Sequence, residues 1–263
     1  MSQSVAIKDY SAEHTAEALE AITRIGVRML RSGASSSRTK DTMDRVAAIL
    51  GIEHFETFVT PTKIISIIYG KQGSFTRAMR VPLLGVNMSA MSKIRTLILE
   101  TKEMTPDALK TWLDALESEK LNYTTAVVAV AVAIACGCFA IILGGGLLEA
   151  IGAALGAAVA QIARVTLDRR HVNPYIITAF GAFVASLISY AVMKAIGAPT
   201  PRIGLIASVL LLVPGVPLVT ALLDLLHLDL ISGLARGVYA IMLVVNIGVG
   251  MLVVLALTGF SIL

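Results

Sequence analysis

The sequence predicts an α-helical polytopic membrane protein with a soluble N-terminal α+β domain, and three observations carry that prediction. Of 263 residues, 56% are hydrophobic and only 15% charged, too apolar for an ordinary soluble domain. The charge is unevenly spread, because residues 1–120 hold 16 of the 22 Lys and Arg and 14 of the 18 Asp and Glu. Beyond them, apolar stretches at about 124–143, 147–163, 174–196, 203–223 and 234–260 are each of membrane-spanning length. The expected organisation is therefore a domain over 1–120 and a transmembrane domain of five helices over 121–263.

In the first domain, Ala18, Ile22, Ile25, Met29 and Leu30 recur at helical spacing, and Gly33 follows as a left-handed stop. Ser35 to Ser37 can cap a second helix whose apolar face is Met43, Val46, Ala47 and Leu50, ending at Gly51. Between Glu53 and Val81 the pattern changes to β-branched and aromatic runs, His54 to Val59, Ile64 to Tyr69 and Phe75 to Val81. Gly70-Lys71-Gln72-Gly73 suits a hairpin turn between the last two. Helices are expected over Asn87 to Thr101 and over Pro106 to Glu119, the latter with Thr105 as N-cap and Pro106 in the first position. The predicted order is ααβββαα.

In the second domain, the spacings Gly152-x-x-x-Gly156-x-x-x-Ala160 and Gly181-x-x-x-Ala185-x-x-x-Ser189 supply the small residues that let helix backbones approach closely in lipid. The fourth stretch carries Val213-Pro214-Gly215-Val216-Pro217 near its middle. Each proline removes a backbone donor and clashes with the preceding turn, and in hydrocarbon the freed carbonyls need partners. The segment reads either as a discontinuous helix facing a cavity, as in secondary transporters, or as a plain proline kink. With the N-terminal domain inside, Arg164, Arg169, Arg170 and Arg236 fall on the cytoplasmic side and Lys194 and Arg202 outside, an orientation that agrees with the positive-inside rule. Tyr123, Tyr175 and Tyr239 fit an interfacial belt.

Composition and motifs exclude several functions. The net charge is +4, but basic and acidic residues are interleaved, so no nucleic-acid partner is expected. Cys136 and Cys138 lie within one apolar run and read as packing or lipid-facing residues, not as a disulfide or zinc framework. No phosphate-binding loop, nucleophile elbow or metal-ligand spacing is present, so no cofactor is expected. His14 and His54, the histidines of the first domain, are far apart in sequence, which leaves a nucleophile without a base. Met1 to Glu20 does not read as a signal peptide, which is expected to leave the first domain in the cytoplasm.

Three polar groups stand out. Arg31, Gly33, Ser35, Ser36 and Arg38 place hydroxyls and helix N-terminal N–H groups beside two arginines, either an anion site or a serine-capped turn between helices. Asp224 and Arg236 flank the link between the fourth and fifth stretches, where they either pair as a gate or are interfacial. Asn246 is an amide deep in the fifth stretch, bonding between helices or lining a pathway.

Gly33-Ala34-Ser35-Ser36-Ser37-Arg38 with Met43, Val46 and Gly51, then Val86-Asn87-Met88, Ala207 to Pro217 and Gly233-Leu234-Ala235-Arg236, resemble the threonine/serine exporter family over nearly the whole chain. The chain is similar to the larger, N-terminal-component subunit of the split two-component type, the arrangement also of the enterobacterial succinate exporter pair. The resemblance implies a multi-pass protein of the bacterial cytoplasmic (inner) membrane, not an enzyme, that works with a second small membrane subunit. The implied function is secondary export of a carboxylate-bearing metabolite, threonine or serine or a dicarboxylate such as succinate. A half-helix N-terminus after Pro214 and Gly215 would offer N–H donors to that carboxylate. Pro217, Ser208, Thr220 and Asn246 complete the expected pathway, and Asp224 and Arg236 are expected in gating or ion coupling. The alternative is a membrane-anchored enzyme or sensor whose N-terminal domain carries the activity.

Overall fold

A computed structural model describes residues 12–70, 73–82, 85–119 and 123–259. The hairpin turn expected at Lys71 and Gln72, the boundary at residues 120 and 121 and the end of the fifth stretch at Phe260 lie outside the described residues. The chain divides into two compact units, one of Met1–Lys120 with Val216–Val238 and one of Leu121–Gly215 with Tyr239–Leu263.

The first unit begins with α1 (Ala12–Arg31) and α2 (Ser36–Ile49), followed by β1 (Phe55–Val59), β2 (Lys63–Gly70) and β3 (Gly73–Arg80), then α3 (Met88–Glu100) and α4 (Pro106–Ser118). The apolar stripe of α1 is buried, with Ala18, Ile22 and Ile25 fully inaccessible, and it shares a core with Met43, Leu50, Ile64, Ile94, Leu109 and Leu113. The strands form one antiparallel sheet in the order β1-β2-β3, with Phe58 opposite Ile65 and Gly70 opposite Gly73. Along β2, Ile64, Ser66 and Ile68 are buried while their neighbours are less so, the alternation of a sheet covered on one face. Asn87 caps α3 through Ala90 N–H at 2.9 Å, and Thr105 caps α4 through Ala108 N–H at 3.3 Å, each satisfying one orphan donor of a first turn.

In the second unit come α5 (Thr125–Ile142), α6 (Leu147–Asp168), α7 (Pro174–Ile196) and α8 (Pro201–Val209), the last running into a 3₁₀ turn at Leu210–Leu212. After a break, α9 (Gly215–Leu226) and the 29-residue α10 (Leu230–Thr258) follow as the last described elements. Among the described residues four helices, α5, α6, α7 and α10, are long and apolar enough to cross a membrane, and the bent pair of Pro201–Leu212 with Gly215–Leu226 makes a fifth if it counts as one span. The chain is thus a multi-pass helical membrane protein carrying a small three-stranded sheet. The second stretch, expected to end at 163, continues as helix to Asp168, because polar residues at a membrane surface end the apolar run without breaking a helix and Arg164 is itself a good helix former.

Small residues set the packing of this unit. A Cβ on Gly156 would lie 2.5 Å from the Ala185 carbonyl oxygen, one on Gly152 would lie 2.4 Å from Met193 Cγ, and one on Gly250 would lie 2.2 Å from the Ala179 carbonyl oxygen. The α6 stripe is therefore a seam against α7, as its spacing predicts. Cys136 is buried and Cys138 exposed, both free. The rings of Tyr175 and Tyr239 meet with centroids 5.8 Å apart.

Candidate functional site

The first unit's polar cluster is built from a turn and a cap. Gly33 takes φ +94°, a left-handed conformation that a Cβ disfavours. Its N–H donates to the Leu30 carbonyl and that of Ala34 to the Met29 carbonyl, both at 3.1 Å, which closes α1 in the manner of a Schellman motif. The chain then re-enters helix at once: Ser35 is extended, and its Oγ accepts from Arg38 N–H at 3.2 Å. Arg31 and Arg38 are exposed, whereas Ser35 and Ser36 are buried. The serine-capped turn is thus present, and beside it the first-turn donors of α2 hold an anion. That anion is Asp224, whose Oδ1 accepts Ser36 N–H at 2.7 Å and whose Oδ2 accepts Ser36 Oγ–H at 3.1 Å.

Asp224 is fully buried and Arg236 is 2% exposed, so both are interior groups of the unit. Arg236 Nε lies 3.1 Å from Asp224 Oδ2. It is an ion pair by distance only, since the N–H is not directed at that oxygen, and the buried Nη2 has no hydrogen-bond partner among the described residues. Two further contacts fix the α9–α10 segment within the unit. Lys40, one turn beyond Ser36 on α2, pairs with Asp229, and Ser232 Oγ–H donates to the Val59 carbonyl at 3.1 Å. Asp229 N–H in turn closes on the Asp224 carbonyl at 2.9 Å.

The chain breaks where the prolines stand. The helical segments on either side of Val213 and Pro214 are bent by 59°. Pro217 falls in the first turn of α9, where a missing N–H disrupts no bond of that helix, so the two prolines make one interruption. Their effect on donors is larger than the sequence predicts. Pro214 and Pro217 have no N–H, and that of Gly215 is directed to the Val213 carbonyl at 2.8 Å. Val216 alone among these four positions keeps an N–H not spent in this way.

The other expected pathway groups bond within their own helices. Ser208 Oγ–H donates to the Leu205 carbonyl at 2.8 Å, Thr220 Oγ1–H to the Val216 carbonyl at 2.9 Å, and Asn246 Nδ2–H to the Met242 carbonyl at 2.8 Å. Of the residues singled out from the sequence, Ser35, Ser36, Asp224 and Arg236 come together and Gly33 shapes their turn. A Cβ on Gly33 would come within 3.2 Å of the Gly85 carbonyl and of Val216 Cγ1, so a side chain here would crowd the turn against the start of α9.

Sequence reasoning leaves out Lys40 and Ser232, and it places Asp229 beside the link between the fourth and fifth stretches without a partner, because the partners are remote in the chain and no local pattern joins them. It also leaves open the role of Glu149, which in the second unit is fully buried. Its Oε2 accepts Gly146 N–H at 2.9 Å, and its Oε1 accepts both Thr200 N–H and Thr200 Oγ1–H at 2.8 Å. It ties the start of α6 to the residue preceding α8.

Residues 20–258 match the family model described as "Putative threonine/serine exporter". The chain is 27% identical over 248 residues to a protein of Escherichia coli (strain K12) named "Probable succinate transporter subunit YjjP", covering 92% of this chain and 97% of that one. A Klebsiella aerogenes protein of the same name is 26% identical over 244 residues, covering 91% and 95% respectively. No solved structure matches the chain. With the model covering all but its ends, the chain belongs to the threonine/serine exporter family, a family of transporters.

Proposed function

We propose that the chain is the larger subunit of a two-component secondary exporter in a bacterial inner membrane, moving small carboxylate-bearing metabolites out of the cytoplasm. The cargo is threonine or serine, or a dicarboxylate such as succinate, which the names of the family and of the relatives support in turn. The word subunit in those relatives' names supports a second small membrane protein as partner. Residues 1–120 form a soluble domain on the cytoplasmic side in this reading, supported by their charge content and by the arginines expected on that side.

The observation that carries the proposal is the 59° break at Val213–Pro214, followed within one bent pair and the next helix by buried Asp224 and Arg236. An anchor needs neither a broken helix nor an interior ion pair. Interrupted helices are where secondary transporters expose backbone to cargo. Val216 N–H is the backbone donor that the break leaves for a carboxylate. Ser208, Thr220 and Asn246 join the pathway in states where their bonds to the Leu205, Val216 and Met242 carbonyls open. The Asp224–Arg236 pair acts as the gate.

Proteoliposomes loaded with labelled threonine, serine or succinate, with and without the small partner subunit, test this. Efflux of at least one cargo requiring both proteins is expected. No protein-dependent efflux of any of the three contradicts the proposal.

A further inference from the structure

The buried cluster around Asp224 has more donors than its one carboxylate uses. Ser36 brings a first-turn N–H and a hydroxyl, and Arg236 brings a guanidinium that is 2% exposed, with Nη2 bonded to nothing among the described residues and Nε poorly aimed at its counter-ion. A buried polar group left unbonded is expensive, and a guanidinium is a planar fork suited to a bidentate carboxylate. Asp224 cannot serve both places well, since the same carboxylate is already held by Ser36 at 2.7 and 3.1 Å.

We propose that the N-terminus of α2 and Arg236 form a binding site for a small carboxylate, in which Asp224 is the resident occupant that an incoming carboxylate displaces. The site itself rests on the geometry; the choice of probe rests on the carboxylate-export reading above. With Asp224 in place the pair is neutral, so adding a second carboxylate buries an uncompensated negative charge, which is unfavourable. Occupancy is therefore an exchange: a ligand carboxylate takes the Arg236 fork and the Ser36 donors as Asp224 leaves them. Lys40 holds Asp229 on the same face of α2, so the turn after Asp224 stays attached at a second point while Asp224 moves. Binding at the site is in this way linked to the position of the C-terminal end of α9, the half-helix that begins at the break.

The test is a succinate titration of the full-length chain, purified in detergent without a partner, by calorimetry at fixed ionic strength, with neutral succinamide and inorganic phosphate as controls. Succinate is expected to bind and succinamide not to. Asp224→Asn, which removes the competing charge and keeps the shape, is expected to bind succinate about tenfold tighter or more. Arg236→Gln is expected to lose binding, and the doubly neutral Asp224→Asn/Arg236→Gln variant, which leaves no lone buried charge to unfold the chain, is expected to lose it too. Binding by the double variant at the wild-type level overturns the site. So does an unchanged or weaker affinity in a folded Asp224→Asn variant, absence of binding to both wild type and Asp224→Asn, or equal binding of phosphate, which removes the carboxylate assignment. Flux separates the two proposals. Arg236-dependent binding without efflux sinks the export reading alone, and efflux that is indifferent to Arg236→Gln sinks this site, and the gate role of the pair with it, while export itself stands.

Discussion

Among the described residues two carboxylates are fully buried, and each unit holds one. Glu149 in the second unit accepts three bonds from two backbone N–H groups and a hydroxyl, all between 2.8 and 2.9 Å. Its charge is spread over neutral dipoles that have no other use, which is how a structural strut is made. Asp224 in the first unit accepts two bonds, both from Ser36, and faces an arginine with a donor left over. A saturated carboxylate has nothing to exchange. One that shares its site with an underused guanidinium does, and that difference assigns structure to Glu149 and work to Asp224.

The largest expected effect comes from removing the cation. Arg236→Gln leaves Asp224 buried without a counter-ion and is expected to cost about 3–5 kcal/mol of stability, read as a lowered thermal midpoint in detergent. The double variant with Asp224→Asn should recover most of that loss, and additive losses instead would show that the two groups are not coupled. Next, Glu149→Leu strands the N–H groups of Gly146 and Thr200, at about 1–3 kcal/mol for each, with no change in carboxylate binding by the first unit. A change in that binding would break the division of labour drawn above.

Ser36→Pro is a finer tool. Proline is tolerated in the first position of a helix, and Ser35 is already extended as a residue before proline must be. The substitution removes both donors to Asp224 and leaves α2 intact, so the expected loss is about 1.5–3 kcal/mol with helix content retained by circular dichroism. Loss of helix would mean that Ser36 serves α2 and not Asp224. Smallest, Gly156→Ala drives a methyl to 2.5 Å from the Ala185 carbonyl and is expected to cost about 1–3 kcal/mol. It should leave carboxylate binding as it was, which sharpens the contrast between a packing seam and a site.

What the sequence reveals of all this follows the reach of its signals. The stripe of α1, the caps at Ser35 and Thr105 and the stop at Gly33 depend on neighbours within a turn or two, and they stand where periodicity and capping rules place them. The break at Pro214 is equally local. The anion held by α2 is not: Ser36 and Asp224 are 188 residues apart, and a run of serines at a helix start looks the same whether its partner is solvent, ligand or a distant side chain. Glu149 and Thr200, 51 residues apart, pose the same difficulty. The break also misleads in one respect, because a helix N-terminus promises a set of N–H donors and only the position of Pro217 within the first turn, with the Gly215 bond to Val213, reveals how few remain.

Asp224 with Arg236 thus works, in this reading, while Glu149 only holds. Efflux of labelled succinate or threonine from proteoliposomes containing this chain and its small partner, compared for Arg236→Gln and Glu149→Gln at equal amounts of folded protein, tests it most directly. A loss of about tenfold or more is expected for Arg236→Gln and near wild-type efflux for Glu149→Gln, which keeps one acceptor oxygen. Efflux retained in Arg236→Gln, or lost equally in both, would contradict it.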